Sequence, residues 1–463
     1  MKSNQSEAGS QKSERIQRLF TIDFRLLTLF LLATVYCLLT TDVFALDVNK
    51  KLLNNGLIVL HSEKHNIPIV MVTMIVKASP LDEPKEKAGL ANLVAELLDE
   101  GTKNRKSSEI SEEIEFIGAS LGASAGGDYT TITLSVLKKD VEKGFELFSD
   151  IVLNPVFPQE ELDRKRELIK GSLKQREEEP SFLADRAFKK EIFGEHPYGR
   201  QIEGTTETLS VINREDLIKF HQKYFIPNNA ILSVVGDLTP DELNSLIKKY
   251  LGSWKIAEMP EKQINPMPEE KTKKVIKIEK DVTQANIIIG HLGISRDNPD
   301  YYAVSVMNYI LGGGGFSSRL MQRIRDDMGL AYDVHSFFAP GKEKGVFQAG
   351  VQTKNESANT AITEIIKQIE RIRKEEVSDI ELADAKAYLT GSFPRRLDTN
   401  RKIADFLATI EFYNLGLDYA EKYPSYINSV TKEDVLRVAK KYLAPENFVL
   451  VVVANQKKAE LKY

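Results

Sequence analysis

The chain has 463 residues, 42% hydrophobic and 28% charged, proportions of an ordinary globular protein long enough for two to four domains. Its 63 basic and 67 acidic side chains leave a net charge of -4, which gives no electrostatic reason to expect a nucleic-acid partner. One cysteine, Cys37, excludes a disulfide within the chain.

Residues 1–45 carry Lys2, Lys12, Arg15, Arg18 and Arg25 ahead of an uncharged apolar run at 26–39. Val43 and Ala45 then stand at the -3 and -1 positions of a cleavage site. This layout predicts a signal peptide over 1–45. The run is short of the about 20 residues that a spanning helix needs; a retained N-terminal membrane anchor is the alternative. Cys37 follows Tyr36, a residue too large for a lipoprotein cleavage site. The expected setting is exported, periplasmic or otherwise extracytoplasmic, and a chain cut after Ala45 holds no cysteine to use there.

Apolar runs predict strands at 48–53 and 57–62 around an Asn55-Gly56 turn, and a third at 67–77. In the stretch 88–102, Leu90, Leu93, Val94, Leu97 and Leu98 recur at helical spacing, which predicts a helix over about 86–99 with one face in the core. Its opposite face, Asn92, Glu96 and Asp99, reads as solvated, and Gly101 lies where the helix would stop. Then come a helix at Ser107–Phe116, a strand at 129–136 and helices at 140–153 and 160–176, with Pro155 and Pro158 at their join. A loop at 195–199, a helix at Arg214–Tyr224, a buried strand at Ala230–Gly236 and a helix at 240–251 complete this part. Residues 257–274, rich in Pro, Glu, Lys and Gln, read as a linker.

After the linker the sequence repeats. Glu215-Asp216 returns as Glu433-Asp434, Lys223-Tyr224 as Lys441-Tyr442, Asn229 as Asn447 and Val234-Val235 as Val452-Val453. Glu161-Leu162 and Gly171-Ser172 return as Glu381-Leu382 and Gly391-Ser392. Two homologous halves follow, 46–256 and 275–463, each α+β: a mostly antiparallel sheet with helices on one face.

The second half has its own motif, a glycine run from Gly312 to Gly315, then Phe316-Ser317-Ser318-Arg319, then Arg325, Gly329 and Tyr332. The glycines suggest a chain reversal. Ser317 or Ser318 is placed to cap a helix running to about Met328, with a strand from 330 to 338. Arg325 then lies near a helix end and Tyr332 early on a strand. A guanidinium fork and a phenol are donors suited to a peptide carbonyl or an oxyanion.

Three other patterns carry less. His61 and His65 would be about 13 Å apart on an extended strand, too far for one metal ion. Gly118 to Gly122 has the spacing of a nucleophile elbow, but a helix precedes it and a strand follows, the reverse of what that elbow needs. The glycine run lacks the lysine of a phosphate loop.

Gly89, Ala91, Gly101 and Thr102 frame the first helix in a way that resembles the pitrilysin/insulinase family of zinc peptidases, the inverzincins, whose metal motif is His-x-x-Glu-His. The resemblance covers nearly all of the chain after 47 and is to the short two-half type related to mitochondrial processing peptidase subunits. It places Asn92 at the first His position, Ala95 at the Glu and Glu96 at the second His. The third ligand position falls at Gly171-Ser172. Catalytic zinc takes about three protein ligands, and a general base must take a proton from its water; these residues supply neither. The resemblance therefore implies no metal or catalytic residue in this chain. It also implies that Arg325 and Tyr332 bind substrate, that a homologous zinc-bearing subunit forms a heterodimer with the chain, and that zinc sits in that partner. A peptide or unfolded protein is the expected substrate. A peptide-binding scaffold without a role in proteolysis is the alternative.

Overall fold

The computed structural model describes residues 46–259, 265–268 and 273–463. The expected signal peptide at 1–45 lies outside them, as does part of the expected linker.

The first sheet has six strands: β1 Asn49–Leu52, β2 Ile58–Glu63, β3 Ile69–Val76, β4 Ser120–Ala125, β5 Thr130–Leu137 and β6 Ala230–Gly236, in the order β1-β2-β6-β3-β5-β4. The second has five: β7 Lys274–Glu279, β8 Gln284–Leu292, β9 Ala331–Ala339, β10 Val346–Lys354 and β11 Val449–Ala454, ordered β7-β11-β8-β10-β9. β2 runs parallel to β6 and β7 to β11, while the other pairings are antiparallel. Apart from β1, the two sheets share one topology. The repeated Glu-Asp pair explains itself here. Asp216 and Asp434 each close a capping box, with Asn213 and Thr431, at the start of equivalent helices.

Alternation along the strands builds the cores. Val72, Met74, Leu134 and Val234 turn one face of the first sheet onto Leu93, Leu97, Phe145 and Phe148. The expected helices on one face are present, and a further layer is added to each sheet by the other half. The Asn400–Phe412 helix packs across β3 and β6, where Thr73 donates to Asp405 at 2.7 Å. Reciprocally, the Pro180–Phe193 helix lays Ala184, Phe188 and Ile192 on Ile288, Val449, Val451 and Val453. Gly290 allows this approach: a Cβ there would stand 2.8 Å from the Phe188 ring. Asp128, in the β4–β5 turn, ties the halves further by accepting from Tyr198, from Tyr413 at 2.8 Å and from the Lys342 backbone N–H at 2.9 Å. Burial, and then the Asp128 charge, push both phenols above their ordinary range.

Two local expectations change. The first helix is shorter than 86–99: a 3-10 turn at Lys85–Lys87 precedes an α-helix at Leu90–Glu96. Gly89 breaks it with φ +98, and a Cβ at Gly89 would meet the Glu203 carbonyl at 2.6 Å. Glu83 then caps the start from outside, accepting from the N–H groups of Gly89 (3.0 Å) and Ala91 (2.9 Å). The glycine run is not a reversal. The Tyr301–Asn308 helix continues as a π turn through Tyr309–Gly313, and of the four glycines only Gly315 has a positive φ, +56. The next segment, Met321–Asp327, is also π-helical. Two α-helical residues, Arg319 and Leu320, lead into it, and the Ser318 hydroxyl before them accepts from the Met321 N–H at 3.4 Å.

Candidate functional site

In the first half the Leu90–Glu96 helix packs against Gln159–Arg176, Arg214–Tyr224 and β4. It is therefore covered on more than its leucine face, and the expectation of a solvated Asn92 is corrected: Asn92 is 8% exposed. Ala95 is 1% exposed, so the general-base position points a methyl group into the core. Glu96 keeps contact with solvent and meets the Lys165 ammonium at 3.2 Å. Lys165 also lies 3.6 Å from Glu100, which Arg164 holds at 2.8 Å. Gly171 and Ser172 are on the exposed side of the Gln159–Arg176 helix, with open space where a Gly171 side chain would begin.

This donor set does not fit zinc. It offers an amide, a methyl group and a carboxylate already neutralised by an ammonium, where imidazoles are wanted. Among the described residues no group of three or more His, Cys, Asp or Glu is placed to hold a metal ion. The frame around the motif keeps a structural purpose. Gly101 has φ +137, and a Cβ there would stand 3.0 Å from the Pro158 ring. The buried Thr102 hydroxyl donates to Asp150 at 2.7 Å and accepts from the N–H groups of Asn104 and Arg105.

The histidines are used separately. His61 is buried on β2 with Nε2 against the Leu238 carbonyl at 2.9 Å, and burial lowers its pKa. His65 lies between Asp237 (2.6 Å) and Glu63 (2.7 Å), whose hydrogen bonds raise its pKa. Ser120 opens the edge strand β4 and has no elbow geometry.

In the second half the structure brings Arg325 and Tyr332 together. The guanidinium carbon of Arg325 stands 4.9 Å from the centre of the Tyr332 ring and 4.5 Å from that of Phe316. Tyr332 is 84% exposed and Phe316 67%. A cation held between two aromatic faces is confined in direction, and here its Nε also lies 3.9 Å from the Asp326 carboxylate. Arg319 secures the segment from beneath. It is buried and bidentate to Glu381 at 2.6 and 3.0 Å. Burial raises the Glu381 carboxyl, but the hydrogen bonds from Arg319 and the Ser378 backbone outweigh it and hold the group at about 2.

Phe316 and Lys165 were not singled out from the sequence. A phenylalanine beside a glycine run is a visible oddity that marks the first. Nothing local marks Lys165, whose partner lies on another helix.

Residues 58–206 match the family model described as insulinase (peptidase family M16), and residues 212–389 the one described as the peptidase M16 inactive domain. A Rickettsia bellii protein named an uncharacterized zinc protease is 27% identical over 415 residues, covering 90% of this chain and 93% of its own. A Helicobacter pylori protein named non-peptidase homolog YmxG is 26% identical over 401 residues, covering 86% and 92%. The crystal structure of a peptidase M16 inactive domain from Pseudomonas fluorescens is similar at a TM-score of 0.83 and 29% identity, over 88% of this chain and 98% of that one. With both halves matched in order around substituted motif positions, the chain belongs to the insulinase family of peptidases, M16, as a homologue that lacks the side chains of His-x-x-Glu-His.

Proposed function

We propose that this chain is the exported, non-catalytic, substrate-holding subunit of a two-chain zinc peptidase. A homologous partner carries zinc on an intact His-x-x-Glu-His, and this chain binds none. Peptides or unfolded proteins are the substrate. The observation that carries the reading is the half-buried Arg325 held between the exposed rings of Phe316 and Tyr332. It presents a guanidinium fork and a phenol in one place, donors that hold a peptide carbonyl and strengthen their hold as negative charge develops on its oxygen. Export rests on the layout of residues 1–45.

Purification from the native envelope should recover the two subunits together, this one beginning near residue 46. In the mixed complex, Arg325→Ala and Tyr332→Phe should each lower kcat/KM by roughly 10²–10³, the loss for one oxyanion donor. Tyr332 is exposed and Arg325 half-buried against two exposed rings, so stability should change by no more than about 1 kcal/mol. The double variant should lose less than the product of the two, since both groups hold one oxygen. Full activity from both single variants, or one tightly held zinc per chain of this subunit alone, overturns the reading.

A further inference from the structure

A cleft of about 470 Å³ opens where the ends of the Lys432–Tyr442 and Ala358–Lys374 helices meet the turn between β9 and β10. Four cations line it: Lys440 and Lys441 from the one helix, Arg373 from the other and Lys344 from the turn. Glu446 is the one carboxylate among its lining residues. In a chain whose acidic side chains outnumber its basic ones, 67 to 63, that is a local excess of positive charge. Neither Arg325 nor Tyr332 lines this cleft.

Two of the four cations are spent. Glu446 holds Arg373 at 3.0 Å. Asp300, outside the lining, holds Lys441 at 2.9 Å and is shared with Arg437 at 2.8 Å and the Tyr442 hydroxyl at 2.7 Å. Lys344 and Lys440 have no carboxylate partner among the described residues. The neutral acceptors are engaged as well. His291 Nε2 accepts from the Ala444 N–H at 3.2 Å, so this ring adds no charge. Asn298 Oδ1 accepts from the Tyr442 hydroxyl at 3.0 Å and the Asp300 N–H at 2.9 Å.

Helix ends explain part of this. A lysine in a last turn faces unpaired carbonyls, and Lys441 has a counterpart in Lys223 of the first half. Lys344 is on no helix, and the repeat shows that Lys440 is not a demand of the fold. In the first half Gln222 stands where the second has Lys440, and Ile226 where it has Ala444. The cleft there is smaller, about 280 Å³, and Phe157, Phe225, Ile226 and Trp254 line it with two lysines, Lys103 and Lys255. The same architecture is thus built with a mainly aromatic and aliphatic lining, and the gathering of four cations from three elements belongs to the second half.

Two ammoniums without a counter-charge call for two negative charges in a small space. A phosphate monoester carries nearly two on one group, and lysine meets phosphate as a point charge. A single carboxylate leaves one ammonium unmatched, and a neutral group gains from neither. A cleft of this volume takes a small organic ligand, not the anion alone. We propose that it binds a phosphate monoester through Lys344 and Lys440. The ester is a soluble molecule or the headgroup of a phosphatidate-like lipid.

The test titrates the mature chain calorimetrically with inorganic phosphate, glucose 6-phosphate, glucose and succinate, at an ionic strength held constant with sodium chloride. Sedimentation with phosphatidylcholine vesicles, with and without phosphatidic acid, covers the lipid source. Phosphate and glucose 6-phosphate should bind, succinate more weakly and glucose not at all. Lys344→Gln and Lys440→Gln should each weaken the phosphate probes about tenfold, the loss of one charged hydrogen bond, and the double variant more than either. Lys223→Gln should bind as wild type does. Both lysines of the site are exposed, so melting temperatures should not move. Capture by phosphatidic acid alone, released by the two variants, assigns the lipid; binding of glucose 6-phosphate alone assigns the soluble ester. Wild-type affinity in both variants, succinate binding as tight as that of glucose 6-phosphate, or no binding of any phosphate probe overturns the site.

Discussion

Glu83 governs the start of the altered motif helix, and it does so as a buried carboxyl. Burial raises it to about 7 against the hydrogen bonds from Ala91 and Gly89, which lower it. A group whose folded pKa lies above its unfolded one binds its proton more tightly when folded. Its contribution is full below about 4.5 and is lost as the pH rises through about 7. The shift corresponds to about 3 kcal/mol. Urea unfolding of wild type and Glu83→Gln should therefore diverge with pH: the wild-type advantage shrinks between pH 5 and 7.5. A constant difference would show that Glu83 does not titrate in this range. At this scale the sequence is read unevenly. The substituted ligands were plain, because zinc's demands are a matter of residue type. The burial of Asn92 was not, because three elements from elsewhere in the chain cover it. The cationic cleft was hidden for the same reason: Lys344, Arg373 and Lys440 come from three separate elements.

Segments were legible where local chemistry decides them. Ser107–Phe116, Arg214–Tyr224 and Ala230–Gly236 end where caps and apolar periodicity place them. The glycine run was misread because glycine serves turns and close packing alike. Gly312 is of the second kind: a Cβ there would stand 2.5 Å from Ser336 Oγ and 2.6 Å from its backbone nitrogen on β9. Gly315 has open space and a left-handed backbone instead. Gly312→Ala should thus cost about 2–3 kcal/mol, the upper range of overpacking, and Gly315→Ala about 1 kcal/mol, for backbone conformation alone. Thermal unfolding separates the two, and equal losses would contradict the packing account. Gly312→Ala should also weaken peptide binding, since it pushes the π turn away from the strand that bears Tyr332.

The two halves are joined more by exchanged helices than by the linker between them. Separated from 46–256, the half 275–463 would bare Ile288, Val449, Val451 and Val453, an apolar face that soluble chains do not leave open. Co-expressed as two fragments, 46–256 and 275–463 should elute as one complex with the melting profile of the intact chain. A folded, monomeric 46–256 on its own would show that the exchange is dispensable. The reciprocity has a historical reading. A single ancestral half, with one of its middle helices reaching away from its own sheet, finds in a twin a surface that accepts it, and the twin returns the gesture. That is a domain-swapped homodimer with a closed twofold axis. Joining its two copies end to end would give the present chain and free each copy to diverge, one keeping the remains of a metal site and the other its stacked arginine and tyrosine.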